Sequence, residues 1–134
     1  MYEIELTDFG FKVIFSGHLA PEQAQGYKDE LARILPSLPE KFGILVDMRE
    51  LKPLGPESQA IITSSQGLVA ERLTRSATVV NSTILFMQFR RLSKASHVID
   101  SKRFVDASKT SDWEWVARKW IVEEIDPYLE EATT

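Results

Sequence analysis

The 134-residue sequence contains no cysteine, which excludes disulfides, iron–sulfur clusters, thiolate zinc sites and cysteine nucleophiles. Its two histidines, His18 and His97, are far apart and fit no metal-ligand or triad spacing, so both read as loop-end or surface residues. Any metal would have to rest on histidine and carboxylate ligands, and no metal or other cofactor is expected. Glycine is sparse, at six residues. Gly55 and Gly67 stand alone and build no phosphate loop, and Ser64-Ser65 lacks the flanking glycines of a nucleophile elbow. No enzymatic activity is expected. Long apolar runs are also missing: Gly43-Ile44-Leu45-Val46 and Ile84-Leu85-Phe86-Met87 are far too short to span a bilayer. The opening Met1-Tyr2-Glu3-Ile4-Glu5 lacks a basic signal-peptide start, so the expected location is cytoplasmic, with no transmembrane segment.

What is present suits one ordinary globular domain, with 43% hydrophobic and 27% charged residues. A chain of this length buries roughly two-thirds of its unfolded surface and needs no metal or disulfide staple. The net charge of −4 conceals a segregation. Residues 1–71 carry 6 Lys/Arg against 11 Asp/Glu, residues 72–119 carry 10 against 4, and residues 120–134 carry 0 against 5. Arg72, Arg75, Arg90, Arg91, Lys94, Lys102 and Arg103 make up much of the basic middle. Such a middle either forms an anion-attracting face or is covered by the acidic tail folding back on it. With no nucleic-acid-binding motif and a negative overall charge, nucleic acid is not an expected partner.

Hydrophobic spacing predicts the elements. Tyr2–Leu6 alternates at period two, and Phe11–Phe15 follows a turn at Thr7-Asp8-Phe9-Gly10, which predicts a hairpin. Pro21 suits a first helical position, with Ala24, Tyr27, Leu31, Ile34, Leu35 and Leu38 at helical spacing and Pro36 and Pro39 at the frayed end. Phe42–Val46 is a continuous apolar run suited to a central strand, closed by Asp47. Gly55-Pro56 opens a second helix through Ile61, Ser65, Leu68 and Val69. Ser76–Asn81 reads as a strand, and Ser82 as the N-cap of a third helix through Phe86, Phe89 and Leu92. A short strand around Arg103-Phe104-Val105 precedes Ser111-Asp112-Trp113-Glu114, a capping box for a last helix with an apolar stripe of Trp113, Val116, Ala117, Trp120 and Ile121. The fold class is therefore α/β: a single mixed, mostly parallel β-sheet with an N-terminal antiparallel hairpin and about four helices. Residues 1–122 form the domain, and residues 123–134 an acidic C-terminal extension.

This order of elements, the apolar strand ending Ile44-Leu45-Val46-Asp47, the loop into a helix, the short Thr78-Val79-Val80 strand and the Trp-rich last helix resemble the STAS fold. Within it the SpoIIAA-like group, also described as STAS/Sec14-like, is the nearest likeness, over roughly residues 2–122. In anti-sigma-factor antagonists of that kind an Asp-Ser-Ser-Gly-like motif opens the second helix and carries the phosphorylated serine. Here the stretch reads Gly55-Pro56-Glu57-Ser58, placing Glu57 or Ser58 near that position without the motif. The resemblance implies a non-catalytic regulatory or protein-interaction module, without a working phospho-serine switch. Its Sec14-like side implies the alternative, a carrier or sensor of a small amphipathic or lipid-like ligand.

The candidate partner- or ligand-binding residues are Asp47, Glu57, Ser58, Phe86, Phe89, Arg90 and Arg91. Asp47 at a strand's carboxyl end is placed to meet a ligand or to cap the following loop. Ser58 at a helix start is placed to carry a phosphate or to serve as an ordinary first-turn polar residue. The third helix is too broadly apolar for one narrow stripe, and with Arg90 and Arg91 it would suit a protein partner, self-association or an amphipathic anionic ligand.

Overall fold

The computed structural model describes residues 1–87 and 100–128. In chain order the elements are β1 (Tyr2–Leu6), β2 (Gly10–Gly17), α1 (Pro21–Ile34) with a 3-10 turn at Leu35–Ser37, β3 (Phe42–Leu51), α2 (Pro56–Val69) and β4 (Leu73–Val80). They continue with α3, helical over 83–87 of the described residues, then β5 (Lys102–Asp106) and α4 (Trp113–Glu123). The five strands form one sheet in the order β1-β2-β3-β4-β5, antiparallel between β1 and β2 and parallel elsewhere. This is the mixed α/β sheet that the spacing predicts.

Period two divides the sheet into two buried faces. Phe11, Val13 and Phe15 of β2 and Ile44 of β3 point toward α1 and α2, where they meet Ala24, Tyr27, Leu31 and Val69. The intervening Leu45 joins Ala77, Val79 and Val105 on the opposite face, under Ala117, Trp120 and Ile121 of α4. Both helices that link parallel neighbours β2–β3 and β3–β4 thus share one face, as crossovers of one hand require. Gly43 is what lets α4 settle: a Cβ there would collide with the Ile121 side chain. Gly10 has φ +151°, and a Cβ on it would run into the Gly43 carbonyl, so both positions need glycine.

Three boundaries differ from the sequence reading. Asp47 does not close β3. The strand runs on to Leu51 because Ser16 and Gly17 of β2 continue the ladder against Glu50 and Leu51, and the Lys52 N–H donates to the Gly17 carbonyl at 3.0 Å. β4 begins at Leu73, paired with Phe42, three residues before Ser76. The capping box of α4 is not formed. Asp112 takes the N-cap position, with its carbonyl accepting from the Val116 N–H at 3.0 Å. The Glu114 carboxylate is drawn instead to Lys12 Nζ of β2, at 2.9 Å.

The end of α4 is fixed by Glu124 in the left-handed conformation (φ 58°), with Glu124 N–H and Ile125 N–H donating to the carbonyls of Trp120 and Lys119. Beyond it the chain returns to the sheet. Asp126 pairs with Arg103 at 2.9 Å, and Tyr128 is buried against Val80, Phe86 and Phe104, its hydroxyl accepting from the Phe104 N–H at 2.8 Å. Among the described residues no helix is long and apolar enough to cross a membrane.

Candidate functional site

Of the residues singled out in the sequence, those that the structure describes fall in separate parts of the fold. Asp47 is 3% exposed, on the α4 side of the sheet. Its Oδ1 accepts from the backbone N–H and Nε of Arg49, each at 3.0 Å, and its Oδ2 accepts from Arg49 Nη2 at 3.0 Å. Both oxygens are thus engaged by a residue two positions on, the local cap that a short polar side chain offers. The Asp47 carboxylate in turn holds the Arg49 guanidinium above its ordinary range, and the guanidinium lies 4.0 Å from the centre of the Trp113 ring, which Lys12 approaches at 5.7 Å. The cluster ties β2, β3 and α4 together.

At the start of α2, Gly55 is the N-cap and Pro56 the first helical residue. Glu57 faces solvent. Ser58 is 2% exposed, and its hydroxyl donates to the Leu19 carbonyl at 2.9 Å. Ser82 does cap α3, accepting from the Leu85 N–H at 3.3 Å. Phe86, on α3, is buried edge-on to Tyr128, ring centres 6.0 Å apart, whereas Ile84, Leu85 and Met87 are exposed. Phe89, Arg90 and Arg91 lie outside the described residues, as does His97; His18 is exposed. Among the described residues no group of three His, Asp or Glu side chains comes together to hold a metal.

Much of the basic middle is structural. Arg72 donates to the carbonyls of Leu35, Leu38, Pro39 and Glu40 and so closes the end of α1. Arg75 Nε does the same for Trp120 and Ile121 at the end of α4 and pairs with Glu124. Arg103 pairs with Asp126 and stacks on Trp120 at 4.1 Å. The start of the acidic tail therefore folds onto this segment, at Arg75 and Arg103. Lys102 is different. Its ammonium has no hydrogen-bond or ion-pair partner among the described residues, and burial pushes it below the usual lysine range.

Lys102 lines a cavity of about 270 Å³ between the sheet and the pair α1/α2. Strand register builds it. Cα partners run Phe11–Ile44–Ser76–Lys102 across β2 to β5, and the next row of the same face runs Val13–Val46–Thr78–Phe104. On the β2–β3 side the lining is Phe15, Ile44, Val46 and Met48, faced by Leu31 and Ile62; on the β4–β5 side Ser76, Thr78, Ser101 and Lys102 line it beside Leu73. Tyr27 and Phe15 meet edge-on at 5.0 Å against this space, and burial pushes the Tyr27 phenol well above its ordinary range. Ser76 is 4% exposed, and its Oγ has no hydrogen-bond partner among the described residues. The cavity is thus apolar at one side and carries a cation and hydroxyls at the other.

The sequence reading singled out neither Ser76 nor Lys102 as site residues. The one signal was polar Ser76 and Thr78 alternating with apolar Ala77 and Val79, which marks two polar side chains on one inward face. Asp106, at the end of β5, was missed as well. Burial works against its charge, but hydrogen bonds from Ser108 and from Thr83 Oγ1 (2.8 Å) outweigh that cost and hold its carboxyl below the ordinary range. Asp106 thereby pins the start of α3 to the sheet.

The architecture is the SpoIIAA-like fold. A crystal structure of an uncharacterized protein of the DUF3478 family with a SpoIIAA-like fold, from Shewanella loihica PV-4, superposes with a TM-score of 0.63 over 90% of this chain and 92% of that one, at 15% sequence identity. No family model matches the sequence, and no curated protein does.

Proposed function

We propose that the chain is a non-catalytic binding module that carries or senses a small amphipathic ligand held between its sheet and helices α1 and α2. The observation that carries this reading is the cavity of about 270 Å³, close to the size at which small-molecule sites begin, with apolar walls and a few convergent polar groups. No working phospho-serine switch belongs to it. Ser58, the residue nearest the phosphoacceptor position of the anti-sigma-factor antagonists, is buried with its hydroxyl committed to Leu19. Native mass spectrometry of the freshly purified full chain tests the reading: a co-purifying small mass released on denaturation is expected, and bare protein that also takes up no added amphiphile contradicts it.

A regulatory protein-interaction reading is favoured by a separate observation, the exposed Ile84, Leu85 and Met87 of α3, of which Ile84 is 70% exposed. It predicts self-association or partner capture that weakens when these residues become polar. The two readings are compatible if ligand occupancy alters that surface.

A further inference from the structure

Resting on the ligand-binding reading, we infer that the cavity selects a monoanionic amphiphile, a medium-chain carboxylate, whose head group is received by Lys102 and Ser76 and whose tail lies along Ile44, Val46 and Leu31. The register sets the polar end. Ser76 and Lys102 are Cα partners on neighbouring parallel strands, and both line the same cavity. A carboxylate there accepts from the Lys102 ammonium and the Ser76 hydroxyl together, a charge-assisted pair of the kind carboxylates favour.

Among the described residues neither the Ser76 hydroxyl nor the Lys102 ammonium has a partner. A hydroxyl at 4% exposure with no partner is an uncommon and costly arrangement. A lysine half-buried without a counter-ion carries a desolvation cost as well, visible in its depressed basicity. Among the described residues acidic side chains pair with Arg49, Arg75 and Arg103, but none is paired with Lys102. One cation suits one negative charge, so a carboxylate fits better than a doubly charged head group.

The volume sets the tail. At roughly 30 Å³ for each non-hydrogen atom, a water's share of liquid volume, a space of about 270 Å³ takes about nine such atoms. A chain of about eight carbons with its head at the Lys102 end matches that volume.

The test compares octanoate, 1-octanol and octylamine by isothermal titration against the full chain, then against Lys102→Met and Ser76→Ala. Octanoate is expected to bind at 1:1 and at least about tenfold more tightly than octanol, the value of one charged hydrogen bond. Lys102→Met, which keeps the apolar stem, should remove that preference while leaving octanol binding unchanged; Ser76→Ala should reduce it in part. Circular dichroism checks the fold of both variants, and the comparison of ligands on the unaltered chain needs neither. Equal binding of octanol and octanoate, or preference for octylamine, overturns the head-group assignment while the ligand-binding reading stands. Binding of none of the three overturns the cavity as a ligand site altogether.

Discussion

Ser58 donates its hydroxyl to the carbonyl oxygen of Leu19, 39 residues earlier, and this one hydrogen bond joins the first turn of α2 to the loop that leads into α1. Removing it by Ser58→Ala leaves that carbonyl without this donor, at a cost of about 1–2 kcal/mol. Ser58→Glu, a phosphoserine mimic, forces a charge into a site with 2% exposure and should cost more than the alanine change. Urea denaturation of the three proteins checks the order. A glutamate variant as stable as the parent would mean that the helix start opens readily enough to accept a phosphate.

Arg49 satisfies both oxygens of buried Asp47 while its guanidinium covers Trp113. Arg49→Ala should destabilise by about 1–3 kcal/mol, less than for a fully buried pair because the arginine is one-third exposed and water can partly replace it. Trp113 fluorescence should shift to the red in the same variant as the ring loses its cover. Unchanged stability and emission would show that the cluster is ornamental.

Asp106 gives the fold a predictable acid sensitivity. Its folded-state pKa lies below the unfolded value, so its contribution is present above the ordinary aspartate range near pH 3.9 and is lost as pH falls through the lowered folded value. Asp106→Asn should therefore be less stable than the parent at pH 7, and the gap should narrow as pH falls below about 4. Urea midpoints at several pH values measure this. A gap that stays constant with pH would assign the loss to packing rather than to the hydrogen-bonded carboxylate.

Glu124 ends α4 at φ 58°, a conformation glycine adopts without the steric cost that other residues meet. Its ion pair with Arg75 is long, at 3.8 Å, and exposed, so little is lost with it. Glu124→Gly should raise stability by about 0.5–1 kcal/mol. Thermal unfolding reads the change directly, and destabilisation would mean that the Arg75 pair outweighs the backbone strain.

The elements were legible where one face of a local segment is buried. Tyr2–Leu6, Pro21 at the start of α1, Gly55-Pro56 at the start of α2 and Ser82 before α3 all follow from local spacing and capping chemistry. Features decided by distant residues were not. β3 continues past Asp47 because β2 is there to pair with it, and Glu114 leaves the capping box because Lys12, 102 residues away, competes for its carboxylate. The cavity was hidden for the same reason. Nothing in the spacing of Ser76 and Lys102 brings them together; the parallel register of β4 and β5 does.

Methyl-resolved NMR of the full chain titrated with octanoate tests the central claim, that a ligand sits between the sheet and α1/α2. The account predicts saturable shifts at Leu31, Ile44, Val46, Ile62 and Val69, with Val79, Val105 and Ile121 on the α4 side unmoved. Shifts confined to the α4 side or to Ile84 and Leu85, or no saturable shift at all, would contradict it.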